Sequence, residues 1–410
     1  MSSVQDAITP GAINRRGFGL KDAIQAPIAT DYHSTLIDQM VAQGHRLRVG
    51  EFEFRLATDF GFCYGVDRAV ELAYETVTRF PDRTVYLTNE IIHNPRVNNR
   101  LRELGVKFLS DEPAAYERLG TGDLVILPAF GAPQSQLEEL QRRGCVLVDS
   151  TCGAVMKVWR RVETYVKDRF TSIIHGKFWH EETIASSSRV SSGGGQYLIV
   201  LDRAEAQLVC DYILQGGDRT AFLTRFQGAY SPGFDPATDL LRVGCANQTT
   251  MLSSESLAIA ELFRQTMIKK YGTVAIEQHF RSFDTICTAT QDRQDAMLAL
   301  AQEPIDLFLV VGGFNSSNTS HLAEIAGHHK PTYHIEDAAG LVSSGVIRHK
   351  PMGSTTPTET HGWLPDGPLT IGLTSGASTP NRILGDVIER LASFRGYALD
   401  APCTSSPAPS

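Results

Sequence analysis

Long apolar runs, paired cysteines, a basic surplus and a leader-like start are all missing from this chain. No apolar run reaches the roughly 18 residues needed to span a bilayer, and the opening MSSVQDAITPG lacks the basic-then-apolar layout of a secretion signal. The expectation is therefore a cytoplasmic globular protein with no membrane partner. Import into a plastid or other organelle is disfavoured by Asp6, Asp22 and Asp31, because transit peptides are poor in acidic residues. The formal charge of −8 argues against general nucleic-acid binding, which depends on Lys and Arg neutralising phosphates. Seven cysteines in 410 residues are too sparse for a disulfide scaffold, and no CxxC pair offers a zinc ribbon or a thioredoxin-like motif. Cys145 and Cys210 lie in apolar runs and read as small buried hydrophobes.

What the chain does have is alternation. Stretches of helical period alternate with short β-rich runs such as TVYLTNEIIHN, DLVILPAFG, CVLVDSTC, FTSIIHGK, QYLIVLD, TAFLTRF, DLFLVVGGF, PTYHIED and LTIGLTSGA. This pattern means an α/β protein with mostly parallel sheets. Residues 1–50 read as an N-terminal extension packed on the outside. Three small α/β units follow, at 51–152, 153–283 and 284–395, and residues 396–410 have the composition of a disordered tail. Ser186 to Gly195 reads as a flexible Ser/Gly insertion, and Pro351 to Pro368 as a polar surface loop.

Cys63, Cys152 and Cys287 each fall where a strand pattern gives way to a helix pattern, in GFCYGVDRAVELA, VLVDSTCGAVMKVW and FDTICTATQDRQDAM. Three such corners around one site could hold an iron-sulfur cluster with one iron lacking a protein ligand. Zinc binding, redox sensing and ordinary corner cysteines remain open on spacing alone. Other strand-to-helix junctions are rich in hydroxyls and amides: Gln248-Thr249-Thr250, Asn315-Ser316-Ser317-Asn318, and Gly376 to Pro380, where Thr379 is a candidate cap. Converging helix starts suit an anion such as a diphosphate, whereas each alone reads as ordinary capping. His93 and His180 follow β-rich runs and can donate to phosphate oxygens, set against structural or surface roles. His180-Glu181-Glu182 is not a zinc-protease motif, because Ile184 stands where HExxH needs histidine. Glu182 is a candidate proton donor, set against a solvated loop carboxylate.

Taken together, GFCYGV, EIIHNP, DSTCGAVMKV, HEET, NQTT, CTATQDRQDA, VVGGFNSSNTSHL and SGASTP occur in order between about residues 54 and 391. In this the chain resembles the 4-hydroxy-3-methylbut-2-enyl diphosphate reductase family of the non-mevalonate isoprenoid pathway. The resemblance implies three α/β units arranged pseudo-threefold around one 4Fe-4S cluster per chain, with Cys63, Cys152 and Cys287 as ligands. It implies an open iron that binds the allylic oxygen of the substrate. Two one-electron transfers then remove that oxygen as water, giving isopentenyl and dimethylallyl diphosphates. Glu182 with Thr249 would protonate the departing hydroxyl. His93, His180, Ser316, Ser317, Asn318 and Ser378 would hold the diphosphate, and Gln248 and Thr250 would line the pocket.

One departure stands out. Where the commoner bacterial pattern has a histidine in a SAHG-like motif, this chain reads Pro128-Ala129-Phe130-Gly131, and a phenylalanine cannot donate a hydrogen bond. Phe130, GKFWHEET and the extension are similar to the plant and cyanobacterial branch, which implies a reduced ferredoxin or flavodoxin as electron donor. Such donors are acidic, so docking on an acidic chain needs a local basic patch. Arg96, Arg100, Arg102 and Lys107 are candidates, set against a solvated helix face. The competing functions are another 4Fe-4S dehydratase acting on an anionic substrate, and a non-catalytic zinc or iron-sulfur sensor. A sensor has no need of Glu182, Thr249 and the Ser/Asn junctions together.

Overall fold

A strand covered by helices on both faces has no solvent side, so its sequence loses polar alternation and reads as a continuous apolar run. The structure, a computed structural model, describes residues 9–399. In it Leu124–Leu127, Val146–Asp149, Thr171–His175, Val243–Asn247 and Leu307–Val311 are buried at every position. The helices between them are one-sided. Gly153–Lys167, for example, buries Val155, Val158, Trp159, Val162 and Tyr165.

The described chain divides into two compact units. The first comprises residues 9–20, 67–92 and 97–290, and the second residues 21–66, 93–96 and 291–399. The first unit holds two parallel sheets. One runs in the order Ile13–Asn14, Val146–Asp149, Leu124–Leu127, Val85–Leu87, Lys107–Phe108. The other runs Phe280–Ser282, Val243–Asn247, Thr171–His175, Tyr197–Val200. The second unit holds Thr332–Ile335, Leu307–Val311, Leu369–Ser375 and Phe52–Leu56 in parallel, with Arg46–Val49 antiparallel at the edge. A hairpin of Val346–His349 and Thr358–His361 accompanies it. The α/β class with mostly parallel sheets is therefore as expected. Among the described residues no helix is long and apolar enough to cross a membrane.

Several segments differ from the sequence expectation. The described part of the extension, residues 9–50, is woven into both units rather than laid on the outside. Ile13–Asn14 is an edge strand, Arg46–Val49 pairs with Phe52–Leu56, and Ile37 and Met40 enter a core with Phe52 and Phe54. Two-residue and hairpin strands leave no periodic trace, which is why composition hid them. Phe52–Leu56, grouped in sequence with residues 51–152, pairs with Leu369–Ser375 more than 300 positions later.

The Ser/Gly stretch is not a flexible insertion: the helix Glu181–Ser192 runs through it, burying Ser186, Ser187 and Val190. Two of its serines bond the preceding turn, Ser187 donating to the Ile184 carbonyl at 3.2 Å and Ser188 to that of Ala185 at 2.7 Å. TAFLTRF is helical as Arg219–Arg225, because Asp218 accepts from the Thr220 and Ala221 amides and outweighs the β propensity. The 351–368 stretch contains the strand Thr358–His361 and Trp363, which joins the core. Of the supposed tail, residues 396–399 are described, and the Tyr397 ring meets Phe52 edge-on at 6.1 Å. Residues 400–410 lie outside the described residues.

Candidate active site

In open α/β sheets, ligands bind on loops beyond the carboxyl ends of the strands. That is where most of the candidates stand. In the first unit Cys152 follows Val146–Asp149, His180 follows Thr171–His175, Gln248 to Thr250 follow Val243–Asn247, and Cys287 follows Phe280–Ser282. In the second unit Cys63 follows Phe52–Leu56, residues 316–318 follow Leu307–Val311, and Ser378 follows Leu369–Ser375.

The first unit joins a carboxylic acid to a cysteine corner. Glu182 lies in the first turn of Glu181–Ser192 and is only 2% exposed, so it is not a solvated loop carboxylate. Its Oε1 accepts from the Thr249 amide at 2.6 Å and its Oε2 from the Thr249 hydroxyl at 2.9 Å. Burial pushes its pKa up to about 7 against the pull of these two bonds. The carboxyl thus holds a proton near neutrality and can give it up. On its other side, the Thr249 carbonyl accepts from the Cys287 amide at 3.2 Å.

His180 caps the Glu182 helix, its Nδ1 accepting from the Glu182 amide at 3.2 Å. In the neutral ring the proton is therefore on Nε2, making that nitrogen a donor. The Phe130 ring meets His180 nearly perpendicular at 5.7 Å. Phe130 thus packs against the candidate residue His180, where the commoner pattern has a histidine of its own.

Gln248 does more bracing than the expected lining role. Its Oε1 accepts from the Lys177 amide and the Thr183 hydroxyl, both at 3.1 Å, and its Nε2 donates to Thr250 Oγ1 at 2.9 Å. It ties the loop after Thr171–His175 to the helix carrying Glu182. Cys152 is the N-cap of Gly153–Lys167, and its amide donates to the Ala129 carbonyl at 2.9 Å.

The second unit joins the Cys63 corner to two polar helix starts. The Cys63 amide donates to the Ala377 carbonyl at 3.1 Å, and the Gly61 amide to Ser375 Oγ at 2.9 Å. Gly61 has φ 74°, and a Cβ there would fall 2.3 Å from Asn381 Oδ1, so the corner needs glycine. Ser316 caps Ser317–Gly327 by accepting from the Thr319 amide at 3.2 Å. Asn318 Oδ1 accepts from the Ala377 amide at 2.9 Å, whereas its buried Nδ2 has no partner. Ser378 Oγ donates to the carbonyl of the buried His93 at 3.2 Å. Pro380, not Thr379, occupies the cap position before Asn381–Phe394, and the Thr379 hydroxyl donates instead to Val311 O at 3.2 Å. A helix start with serines and an unused buried amide donor is suited to an anion.

Sequence reasoning missed two residues. Arg293 is buried and its Nη2 donates to the Phe60 and Gly61 carbonyls at 3.2 and 2.8 Å, fixing the turn before Cys63. The only trace was its place in CTATQDRQDA. Asp149, three residues before Cys152, accepts from the Thr151 amide and hydroxyl and from Arg15. The arginines considered for docking are each paired: Arg96 with Asp386, Arg100 with Glu103 and Arg102 with Asp111. Their charge is largely spent locally.

The cysteines sort by environment. Cys145, Cys210 and Cys245 are buried, and burial pushes all three thiols up, the first two to about 11. Such thiols are poor metal ligands. Cys63, Cys152 and Cys287 are half-buried, outside any disulfide, and each stands immediately before a helix. The partial positive charge of a helix start suits a thiolate, so each of these cysteines, taken in its own unit, is a donor of the kind an iron-sulfur group takes.

Residues 54–392 match the family model described as LytB protein. The chain is 53% identical over 388 residues to 4-hydroxy-3-methylbut-2-enyl diphosphate reductase of Thermosynechococcus vestitus, covering 94% of this chain and 95% of that protein. It is 49% identical over 406 residues to the protein of the same name in Gloeobacter violaceus, covering 96% of each. Among solved structures, the E-1-hydroxy-2-methyl-but-2-enyl-4-diphosphate reductase of Plasmodium falciparum is similar in fold. It superposes with a TM-score of 0.57 at 22% identity, covering 82% of this chain and 86% of that one.

Proposed function

The chain belongs to the LytB protein family, and from that membership we propose that it reduces 4-hydroxy-3-methylbut-2-enyl diphosphate to isopentenyl and dimethylallyl diphosphates. The observation that carries this reading is the buried Glu182 clasped by Thr249, whose carbonyl also accepts from the Cys287 amide. The reaction breaks the allylic C–O bond, consumes two electrons and two protons, and releases water. One proton goes to the departing oxygen and the other to the allylic carbon.

Hydroxide is a poor leaving group, so a proton must reach the oxygen as the bond breaks. Glu182 is the donor in this reading. Burial keeps its proton on near neutrality, and the Thr249 hydroxyl and amide stabilise the carboxylate left behind. Cys63, Cys152 and Cys287 would hold one 4Fe-4S cluster. When bound, that cluster supplies electrons one at a time and Lewis acidity at the iron without a cysteine. His93, His180, Ser316, Ser317, Asn318 and Ser378 grip the diphosphate, and the unpartnered Asn318 Nδ2 gives that grip a ready donor. Gripping the remote diphosphate orients the allylic end and helps exclude water. Gln248 and Thr250 hold the loop that presents Thr249.

A reduced ferredoxin or flavodoxin in the cytoplasm serves as donor. The test is anaerobic turnover of the hydroxylated diphosphate with such a donor, following both products. A brown protein with roughly four iron and four sulfide per chain and both products formed is the expected result. Bound zinc, or no turnover by iron-loaded protein, overturns it.

A further inference from the structure

A threonine inside a helix ordinarily turns its hydroxyl back onto the carbonyl four residues earlier. Thr76, Thr164 and Thr266 do so here, donating to the Leu72, Arg160 and Leu262 carbonyls at 2.6, 2.7 and 2.8 Å. Thr290 bonds differently. It lies in the first turn of Thr288–Leu300, fully buried, and its Oγ1 stands 3.0 Å from Cys287 Sγ. Its amide donates to the Cys287 carbonyl at 2.9 Å, which fixes the pair across a single turn. Both residues belong to the first unit.

A buried hydroxyl needs a partner, and Thr290 has found its own in the sulfur. With a free thiol, either atom is able to donate. A thiolate that ligates iron has no proton, so in the loaded protein the direction is settled. The hydroxyl donates and the sulfur accepts, in a charge-assisted bond.

Hydrogen bonds to the ligand sulfurs are among the determinants of an iron-sulfur potential. An added electron makes the group more negative and leaves part of that charge on the sulfurs. A donor aimed at a sulfur therefore stabilises the reduced form more than the oxidised one. The potential rises with the bond and falls without it.

We propose that Thr290 is a positioning residue for the iron-sulfur group: its hydroxyl donates to Cys287 Sγ and raises the reduction potential of the cluster that this sulfur holds. The inference rests on the reading of Cys287 as a ligand. It gives the second threonine of CTAT a part in electron uptake, separate from the proton delivery assigned to Glu182 and Thr249.

The experiment uses holoenzyme and titrates the cluster potential, followed by visible absorbance and by the electron paramagnetic resonance signal of the reduced form. Thr290→Val exchanges the hydroxyl for a methyl of similar size. Its iron content stays near that of the parent, and at a fixed potential its ratio of reduced to oxidised cluster falls about tenfold, a downward shift of about 59 mV for one electron. Thr290→Ser, which keeps the hydroxyl, holds the ratio within about twofold of the parent. A purely structural threonine gives another pattern, in which both variants lose thermal stability and neither moves the potential. Should Thr290→Val lose iron, Thr290→Ala, which removes the hydroxyl without setting a methyl against the sulfur, is titrated in its place. If the iron-loaded variant keeps the potential of the parent while Cys287→Ser loses its iron, this inference alone is overturned. If Cys287→Ser keeps its iron, the ligand reading falls and this inference with it. Loss of iron from both Thr290→Val and Thr290→Ala also overturns it, because the hydroxyl then secures the group rather than setting its potential.

Discussion

Arg15 Nε donates to Asp149 Oδ2 at 2.7 Å, tying the N-terminal segment to a buried carboxylate three residues before Cys152. The other oxygen of Asp149 accepts from the Thr151 amide at 3.0 Å and from the Thr151 hydroxyl. Asp149 thus sets the turn that presents the cysteine, and Arg15 closes the arrangement from outside.

The two partners are therefore unequal. Arg15 is half exposed, so Arg15→Ala costs about 1 kcal/mol or less of stability and leaves most of the iron bound. Asp149→Ala frees the buried Thr151 donors as well and costs about 2–3 kcal/mol. It also lowers iron retention. Thermal melts and iron analysis of the two variants check this, and equal effects would contradict the assigned hierarchy.

Glu182→Gln removes the proton while leaving the side-chain volume. Turnover falls by about 100-fold or more, the range for loss of a general acid. Iron content and diphosphate affinity stay near those of the parent. Full turnover in this variant would remove Glu182 from the proton path.

The pH profile gives a second reading of the same carboxyl. As the proposed proton donor Glu182 must be protonated to act, and burial raises its pKa to about 7, so kcat is sustained below that value and declines as pH rises through it. The Thr249 hydroxyl bond pulls the pKa down. Thr249→Val, which deletes it, therefore moves the falling limb to higher pH while lowering the maximum. A limb that stays in place or moves downward would contradict the clasp.

Cysteine variants separate ligands from packing residues. Cys63→Ser, Cys152→Ser and Cys287→Ser each lose most of their iron and the associated visible absorbance. Cys145→Ala keeps both and loses only packing stability, because Cys145 is buried among Leu140, Leu147 and their neighbours. Normal iron content in any of the three serine variants would exclude that cysteine as a ligand.

Arg293→Met tests the buried arginine behind Cys63. It leaves the Phe60 and Gly61 carbonyls without their charged donor, at a cost of about 2–3 kcal/mol. Iron retention falls with stability, whereas the affinity for inorganic diphosphate changes little. Melting curves, iron analysis and diphosphate titration together distinguish this from a general loss of fold.

The sequence by itself determined the parallel α/β class, the three cysteine corners and the polar helix starts. These are local properties: a run buried on both faces loses its polar residues, and a strand-to-helix turn needs glycines, caps and small side chains at fixed offsets. It was equally clear locally that Glu182 follows His180. Whether Glu182 met water or Thr249 was not, because the two are 67 positions apart and burial is a property of packing.

Long-range pairing decided the rest. Phe52–Leu56 reads the same whether its partner is the next strand or Leu369–Ser375, since its buried faces fix only that partners exist. Two-residue Ile13–Asn14 carries no period at all, and only its register against Leu147 and Val148 makes it a strand. A serine-rich stretch reads as mobile by composition, yet it is helical, and Ser187 and Ser188 bond the preceding turn. Lys350 is one lysine in a polar stretch by composition. Tertiary structure alone brings its ammonium to the carbonyl of Phe314 and the hydroxyl of Ser320, 36 and 30 positions earlier in the chain.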